Sequence, residues 1–251
     1  AMSSKYLGIH FDIHTGGVDN KFPHHENEIA QNEAAFKEKF VNYWLHCEHL
    51  IVDGEKMSKS KGNFYTLRDL LDKGLSPEAI RYSLMSAHYR KQLNFTIEGI
   101  NQSQNAIDRV NDLIFRLKDI DNSNDNEINK NILKEIEESN EKFSEAIYND
   151  LNISEALGIF FTLVKNINTS FYSINNESRN RIIKFIERVN NIINCFNMKG
   201  ESEVLNMDEE EINKLIEERS AAKKEKNYKK ADEIRNRLLS MGIEIMDTPQ
   251  G

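Results

Sequence analysis

The amino-acid sequence predicts an α/β segment of about 100 residues, followed by a mainly α-helical bundle and a small α+β unit at the end. All seven histidines precede residue 100, together with seven of the eleven glycines. The later part is rich in Asn, Glu, Lys and Ile and almost free of Gly and Pro, as long helices are. A short apolar run at residues 243–246 predicts a final strand. Side chains suited to chemistry therefore come first, and a helical body second.

Composition limits the classes of protein to consider. Hydrophobic residues make up 39% of the chain, no run of 18 apolar residues occurs, and the first residues lack a secretory apolar region. We therefore expect a cytoplasmic protein that contacts no membrane. The two cysteines are too few for a disulfide framework or a four-cysteine metal site. The formal net charge of −8 argues against a uniformly basic nucleic-acid binder, but a local basic stripe stays open.

The first predicted element is a short strand at residues 8–14, where apolar and polar side chains alternate. It leads into a loop that contains Gly16, Gly17 and Asp19. Ligand sites in parallel α/β sheets lie at such strand ends. The glycines would let a ligand approach the backbone, and Asp19 could accept hydrogen bonds from ribose hydroxyls. An ordinary strand-to-loop turn is the alternative interpretation.

A helix is predicted to begin at Pro23, with acidic residues near its N-terminus. His24 and Glu28 are four residues apart and share one helical face, whereas His25 points about 100° away. A His and Glu pair suits Zn²⁺ but supplies only two of the usual four ligands. A surface His and Glu pair is the alternative, and a zinc site would need ligands from elsewhere.

Residues 41–52 predict a strand that ends at a turn and leads to a cationic loop. In that loop Lys56 and Lys59 flank Met57 and Ser58. Two ammonium groups with neighbouring hydroxyl and backbone donors suit a polyphosphate, on which they stabilise developing negative charge. The alternative is a solvated basic turn.

Helices fill most of the remaining chain. Short helices are predicted after Thr66 and from Pro77. Longer amphipathic helices that form an antiparallel bundle are predicted at residues 96–117, 127–149, 153–172 and 177–197. Two further helices are predicted at residues 208–226 and 228–241. This last part carries nine Lys and Arg against five acids over residues 214–237. Such a stripe could contact phosphates or form a salt-bridged hairpin.

Taken together, these motifs closely resemble the cysteinyl-tRNA synthetase family. The order and spacing match as well. The residues that carry the resemblance are the strand and loop at 11–19, the sequence FPHHENE at 22–28, the sequence KMSKS at 56–60, the helix junction at 149–156 and the C-terminal stretch at 231–243.

The resemblance implies a Rossmann-type catalytic domain, of which this chain would hold an α/β remnant at residues 1–65. A stem-contact segment at 66–98, a helical bundle at 99–200 and an anticodon-binding unit at 201–251 would follow. It implies ATP with Mg²⁺, cysteine and tRNA(Cys) as substrates, and one Zn²⁺ that selects the cysteine thiolate over the serine hydroxyl.

The resemblance also implies roles for individual residues. The catalytic residues would be Lys56 and Lys59. His24 and Glu28 would be zinc ligands. ATP would be bound by Gly16, Gly17, Asp19, Met57, Ser58 and Lys59, and tRNA by Lys223, Asp232 and Asp247. Lys223 stands where the family often has Arg, so a bidentate contact would become a single point charge.

Two departures from the family pattern qualify these expectations. No H-x-G-H signature occurs, and no cysteine lies where the family has two thiolate zinc ligands. We therefore expect a monomeric C-terminal portion of the enzyme that binds zinc weakly or not at all and is inactive alone. The alternatives are the cysteine ligase of mycothiol synthesis, which lacks an extended anticodon-binding C-terminus, and a non-catalytic tRNA-binding fragment.

Overall fold

A computed structural model describes residues 2–199, 209–224 and 227–240. The chain divides into two compact units, Ala1–Met198 and Lys199–Gly251. The predicted strand at 243–246 lies outside the described residues. None of the helices in the described ranges is long and apolar enough to cross a membrane.

The first unit begins with a parallel βαβ arrangement. Strand β1 (Phe11–Gly17) pairs in parallel with β2 (Val41–Cys47), and helix α2 (Glu26–Phe36) connects the two strands. The predicted strand at 8–14 therefore begins later and extends through both glycines. Residues 21–25 form a kinked turn before α2 begins, with extended backbone at Phe22 (φ −139°, ψ 131°). The elements are α1 (Met2–Leu7), β1 (Phe11–Gly17), α2 (Glu26–Phe36) and β2 (Val41–Cys47).

A second, three-stranded sheet follows. The predicted strand at 41–52 is two strands, because the chain leaves β2 after Cys47 and the amide of Glu48 donates to the carbonyl of Tyr89 at 2.8 Å. Asp53 and Gly54 both have positive φ and form the tight turn into the next strand. In this sheet β3 (Ile51–Val52) lies between β4 (Glu55–Lys56) and β5 (Asn94–Phe95).

The helices begin where side chains can cap them. Thr66 and Asp69 form a capping box, and Ser76 caps the next helix with Pro77 in its first turn. Asn126 and Asn175 cap two helices of the bundle. The helices of the first unit are α3 (Leu67–Asp72), α4 (Pro77–Met85), α5 (Ile97–Lys118), α6 (Glu127–Tyr148), α7 (Ile153–Thr169) and α8 (Asn176–Ile193).

One continuous core joins the second sheet to the helices. Val52 and Phe95 are fully or almost fully buried in the same cluster as the bundle side chains. The ring of Phe185 contacts the rings of Phe143 and Phe160, each at a centroid distance of 6.0 Å. Burial of each such ring contributes roughly 2–3 kcal/mol. The bundle therefore forms a rigid support for the sheet that leads to the cationic loop.

Asp150 ties the segment after α4 to the α6–α7 junction. Its carboxylate accepts hydrogen bonds from the Tyr89 hydroxyl and from Arg90 Nε, each at 2.5 Å. The hydrogen bond from Arg90 is the main reason that the pKa of the Asp150 carboxyl falls to about 2. Asp150 and Leu151 both have positive φ, a conformation that costs energy for residues other than glycine. The contacts of Asp150 offset that cost and fix the junction.

The second unit contains two described helices, α9 (Glu209–Lys224) and α10 (Tyr228–Ser240). Leu215, Ile234 and Leu238 form their shared apolar contact. The two helices predicted at 208–226 and 228–241 are thus confirmed within the described residues. The division of the whole chain into four segments stays a prediction.

Candidate functional site

Imidazoles gather where β1 and β2 approach the N-terminus of α2. His14 lies on β1, His46 on β2, and His25 in the turn before α2. The ring of His14 stacks on Trp44 at 4.6 Å, and His25 lies 4.7 Å from His14. His25 is only 4% exposed, so its ring is fixed by its neighbours.

Glu28 is the acidic residue at the centre of this cluster. Its Oε2 lies 2.9 Å from His14 Nε2, and its Oε1 lies 3.5 Å from His24 Nε2. Oε2 is buried, and even the close contact with His14 does not give it a hydrogen bond of acceptable geometry. The two groups still attract each other as an ion pair when His14 is protonated, because that attraction depends on distance more than on the direction of the N–H bond. A buried carboxylate oxygen in this state is suited to a cation.

Three side chains come close enough to hold one metal ion. One ligand atom each from His14, His25 and Glu28 lies within 4.8 Å of the other two. Two imidazoles and one carboxylate are a known donor set for catalytic zinc, so the residues fit the metal. The predicted ligand His24 contacts the same carboxylate, but its side chain is 65% exposed. Glu28 therefore belongs both to the pair predicted from the sequence and to the trio found in the structure.

The surroundings of His25 favour its neutral form. Burial lowers the pKa of His25, and repulsion from His14 lowers it further, although Glu28 acts in the opposite direction. Neutral imidazole is the form that binds metals, so protons compete less well at this residue than at an exposed histidine. His25 Nδ1 also lies 2.8 Å from His46 Nε2, and a hydrogen bond between the two rings fixes its orientation.

The two glycines at the end of β1 have different neighbours. A Cβ on Gly16 would lie 2.6 Å from His25 Cε1, so only glycine lets the strand pass the buried ring. A Cβ on Gly17 would lie 2.4 Å from Asp19 Oδ1. Asp19 is exposed, and its Oδ1 lies 3.7 Å from Nε2 of His49. Gly16 thus belongs to the histidine cluster, while Gly17 and Asp19 form an open rim.

We expect replacement of Gly16 by alanine to disturb the cluster, because the new methyl group would lie 2.6 Å from His25 Cε1 and would force the buried ring to move. A forced shift of this kind in a packed site costs about 1–3 kcal/mol. Gly158→Ala is the matched control, since a Cβ there meets nothing within 4 Å. In α7 that change should stabilise the chain by up to about 1 kcal/mol. Urea unfolding gives the free energy of unfolding of both variants. Equal stability of the two would show that the His25 ring moves aside without measurable cost.

The cationic loop leaves β4 and returns at Asn63. The amide oxygen of Asn63 accepts a hydrogen bond from the Ser58 backbone N–H at 2.9 Å, and its amide group donates to the carbonyl of Lys56 at 3.3 Å. Ser58 and Ser60 hydroxyl oxygens lie 2.7 Å apart. Asn63 thus closes the loop and holds the Lys56, Met57 and Ser58 backbone in place.

The lysines of this loop have different partners. Lys61 is paired with Glu55 at 2.7 Å, which neutralises it. Lys59 is exposed, and its ammonium group lies 5.3 Å from the centroid of the Phe64 ring. A cation–π contact at an exposed site contributes only about 0.5–1 kcal/mol. Lys56 is exposed as well, so Lys56 and Lys59 remain accessible to an anionic ligand.

The predicted tRNA contacts lie in the second unit. Lys223 is exposed on α9, and Asp232 is exposed on α10. Asp247 lies outside the described residues. The apolar contact of α9 and α10 leaves the Lys223 and Asp232 side chains on the outer surface of the pair.

Sequence reasoning missed three members of the histidine cluster, His14, His25 and His46. His25 and Glu28 are three residues apart, which also places side chains beside each other on a helix. His14 and His46 lie on neighbouring parallel strands near their C-terminal ends, where side chains converge. The positions of His14 and His46 in predicted strands were the signal available in the sequence. That signal shows the two residues to be neighbours only when the parallel pairing of β1 and β2 is known.

Three known families match consecutive parts of the chain. Residues 1–105 match the catalytic domain of class I (C) tRNA synthetases, residues 142–198 match the DALR domain, and residues 209–251 match the anticodon-binding domain of cysteinyl-tRNA ligases. The histidine cluster and the cationic loop lie within the first matched region, and the predicted tRNA contacts lie within the last.

Curated relatives align over the entire chain. The cysteine–tRNA ligase of Brachyspira hyodysenteriae is 83% identical over 252 residues, and the alignment covers 100% of this chain and 53% of the relative. The enzymes of the same name from Chlamydia caviae and Leptospira interrogans are 42% and 44% identical, again over 100% of this chain, with 52% and 54% of the relatives covered. The chain therefore spans about half the length of the curated relatives that it matches.

A solved structure shares the fold at low sequence identity. The LeuRS of Agrobacterium radiobacter, crystallised in a ternary complex with tRNA and LeuAMS, superposes with a TM-score of 0.56 at 14% identity. The superposition covers 79% of this chain and 29% of that protein. At this identity the likeness concerns the fold alone.

Proposed function

We propose, because the chain belongs to the cysteinyl-tRNA synthetase family, that it supplies part of the machinery that activates cysteine with ATP and transfers it to tRNA(Cys). The observation that carries this proposal is the Glu28 carboxylate, which is surrounded by imidazoles at the end of two parallel strands. This donor set suits a metal that prefers thiolate to hydroxyl.

Zinc is the cofactor that fits these residues. Either His24 with Glu28 or His14 and His25 with Glu28 would hold it, and Glu28 is common to both sets. A bound zinc ion would supply a Lewis acid with a strong preference for a thiolate ligand. His46 orients His25, and the Trp44 ring packs against both His14 and His25. These residues keep the donors in place and restrict water at the site.

ATP is the proposed ligand of the segment that contains Gly16, Gly17 and Asp19, and of the cationic loop. The backbone at Gly16 and Gly17 would lie beside the nucleotide, and Asp19 would accept hydrogen bonds from its ribose. Lys56 and Lys59, with Met57 and Ser58, would contact the phosphates, whose charge Mg²⁺ shares. The Asn63 hydrogen bonds support this role because they pre-organise the loop backbone before any ligand binds.

tRNA(Cys) is the proposed macromolecular partner, with Lys223, Asp232 and Asp247 at the anticodon. The match of residues 209–251 to an anticodon-binding domain favours this ligase over the cysteine ligase of mycothiol synthesis, which lacks such an extension. A non-catalytic tRNA-binding fragment is the second candidate, because the chain spans about half of its relatives. A monomeric state and a cytoplasmic location stay predictions.

We expect Asp232→Ala to raise the Kd for a tRNA(Cys) transcript about tenfold, because a carboxylate that accepts from a base edge discriminates by roughly 1–3 kcal/mol. Glu233→Ala is the matched control, since Glu233 is the exposed acid next to it on α10. Fluorescence anisotropy with native and altered anticodons measures both variants. Equal affinity of wild type and Asp232→Ala for both transcripts would remove Asp232 from the interface, and no anticodon preference by wild type would contradict the proposed function.

A further inference from the structure

The histidine cluster and the cationic loop stand on separate parts of the first unit. Strands β1 and β2 carry the cluster with α2, and these two strands pair with each other in a sheet of their own. The cationic loop follows the second sheet, whose Val52 and Phe95 belong to the core of the helical bundle. Of the described residues that precede Leu50, none belongs to this core. The core therefore supports the loop but does not fix the position of the cluster relative to it.

One backbone hydrogen bond joins the two parts. Directly after β2 ends, the Glu48 N–H donates to the carbonyl of Tyr89 at 2.8 Å. Within the described range 2–199, it is the only hydrogen bond between residues 2–48 and residues 50–199. Glu48 lies two positions after His46, whose ring is hydrogen-bonded to the buried ring of His25. The Tyr89 carbonyl thus holds the end of the strand on which part of the cluster stands.

The side chain of Tyr89 is itself held by three neighbours. Its hydroxyl donates to Asp150 Oδ1 at 2.5 Å, and its ring stacks on the ring of His88 with the centroids 4.9 Å apart. The guanidinium carbon of Arg90 lies 5.1 Å from the centroid of the Tyr89 ring. Asp150 also accepts from Arg90 Nε at 2.5 Å, so its carboxylate orients two of these three groups. Asp150 is the member of this set that stands on the bundle, at the junction of α6 and α7.

We propose that Asp150 is a positioning residue for the activation of cysteine. Its carboxylate holds Tyr89, and the Tyr89 carbonyl holds the end of β2, so the bundle sets the position of the histidine cluster relative to Lys59. The inference rests on the proposed function, in which cysteine lies at the cluster and the ATP phosphates lie at the cationic loop. In that reaction a carboxylate oxygen of cysteine bonds to the α-phosphorus of ATP while the bond from that phosphorus to pyrophosphate breaks. Misplacement of bound reactants by about 1 Å can slow such a step by ~10²-fold.

Two substitutions weaken this contact and preserve the backbone around it. Tyr89→Phe removes the hydroxyl and keeps the ring. Asp150→Asn keeps the positive φ of 57°, because asparagine tolerates the left-handed region. Its single amide oxygen cannot accept from both Tyr89 and Arg90 Nε, which use different oxygens of the carboxylate. Asp112→Asn is the matched control, since Asp112 is exposed on α5 and pairs with Arg116 Nε at 2.8 Å.

Amide hydrogen exchange in the 251-residue chain tests the coupling without any assay of activity. We expect the Glu48 amide to exchange about tenfold faster in Tyr89→Phe and in Asp150→Asn than in the wild type, because its acceptor is held less firmly. The double variant should exchange no faster than Asp150→Asn, since both changes break one contact. The Phe185 amide, in the middle of α8, should keep its rate in every variant, and Asp112→Asn should leave both amides unchanged. An unchanged Glu48 rate in both single variants, or an equal acceleration at Phe185, would overturn the inference.

Single-turnover formation of the cysteinyl adenylate, in a full-length protein that carries this chain, then tests the positioning role. At saturating cysteine and ATP we expect Tyr89→Phe and Asp150→Asn to lower the rate constant about tenfold and to leave the amplitude and the KM for cysteine unchanged. A merely structural role would lower the amplitude, which counts folded molecules, and would leave the rate constant as in the wild type. That result would overturn the inference and leave the proposed function intact. Failure of the wild type to form the adenylate would contradict the proposed function, and the positioning role with it.

Discussion

Lys59→Ala should slow cysteine-dependent ATP–pyrophosphate exchange by on the order of 10²-fold or more, in a full-length protein that carries this chain. Removal of one pre-organised charge from a developing oxyanion costs about 2.7–4 kcal/mol of transition-state stabilisation. Lys59 is exposed at the tip of a loop that Asn63 closes, so its ammonium group is free to meet the phosphates. The KM for cysteine should change little, because the histidine cluster lies on other elements.

Lys61→Ala is the control for this experiment. Lys61 lies two residues away in the same loop, but Glu55 already neutralises it at 2.7 Å. We expect its loss to change the exchange rate by less than about threefold, as for an exposed ion pair. Equal effects of the two substitutions would mean that the loop acts through its net charge. An unchanged rate in Lys59→Ala would remove Lys59 from the phosphate site.

Glu28→Gln should lower the affinity for zinc on the order of 100-fold. The amide keeps the size of the side chain but removes the charge that both candidate donor sets share. The sequence alone predicts weak binding, because it offers two ligands. Since the structure adds His14 and His25 beside Glu28, we expect the wild-type chain to bind one zinc measurably. Competition with a chromophoric chelator gives the affinity without any assay of activity.

Glu26→Gln is the matched control, because Glu26 is exposed in the same first turn of α2 and lies outside the cluster. Comparison of His24→Asn with His14→Asn then separates the two donor sets. The visible spectrum of bound Co²⁺ reports which substitution changes the ligand field. Equal zinc affinity of Glu28→Gln and Glu26→Gln would exclude Glu28 as a ligand.

The sequence predicted the local elements better than their pairing. Helix caps such as Thr66 and Asn126 are local signals, and the helices they begin are found where the pattern placed them. The break in residues 41–52 could not be predicted in this way. It depends on the backbone contact between Glu48 and Tyr89, which are 41 positions apart in the sequence.

In the candidate site too, local features could be predicted from the sequence, whereas contacts between distant positions could not. The motifs at Glu28 and Lys59 are contiguous, so both residues could be proposed as candidate site residues from the sequence alone. His14 and His46 are separated by 32 positions, and only the parallel register of β1 and β2 brings them to the same edge of the sheet. The tight approach of Gly16 to the buried His25 ring could not be predicted either, because the sequence shows the glycine but not its neighbour.

The most direct test of the proposed function is the amino-acid selectivity of ATP–pyrophosphate exchange by a full-length protein that carries this chain. A zinc site built around Glu28 should accept the thiolate of cysteine and reject the hydroxyl of serine. We predict exchange with cysteine and at least about 10³-fold lower kcat/KM with serine. Comparable exchange with both amino acids, or no exchange with cysteine, would contradict a cysteine-selecting zinc site at Glu28.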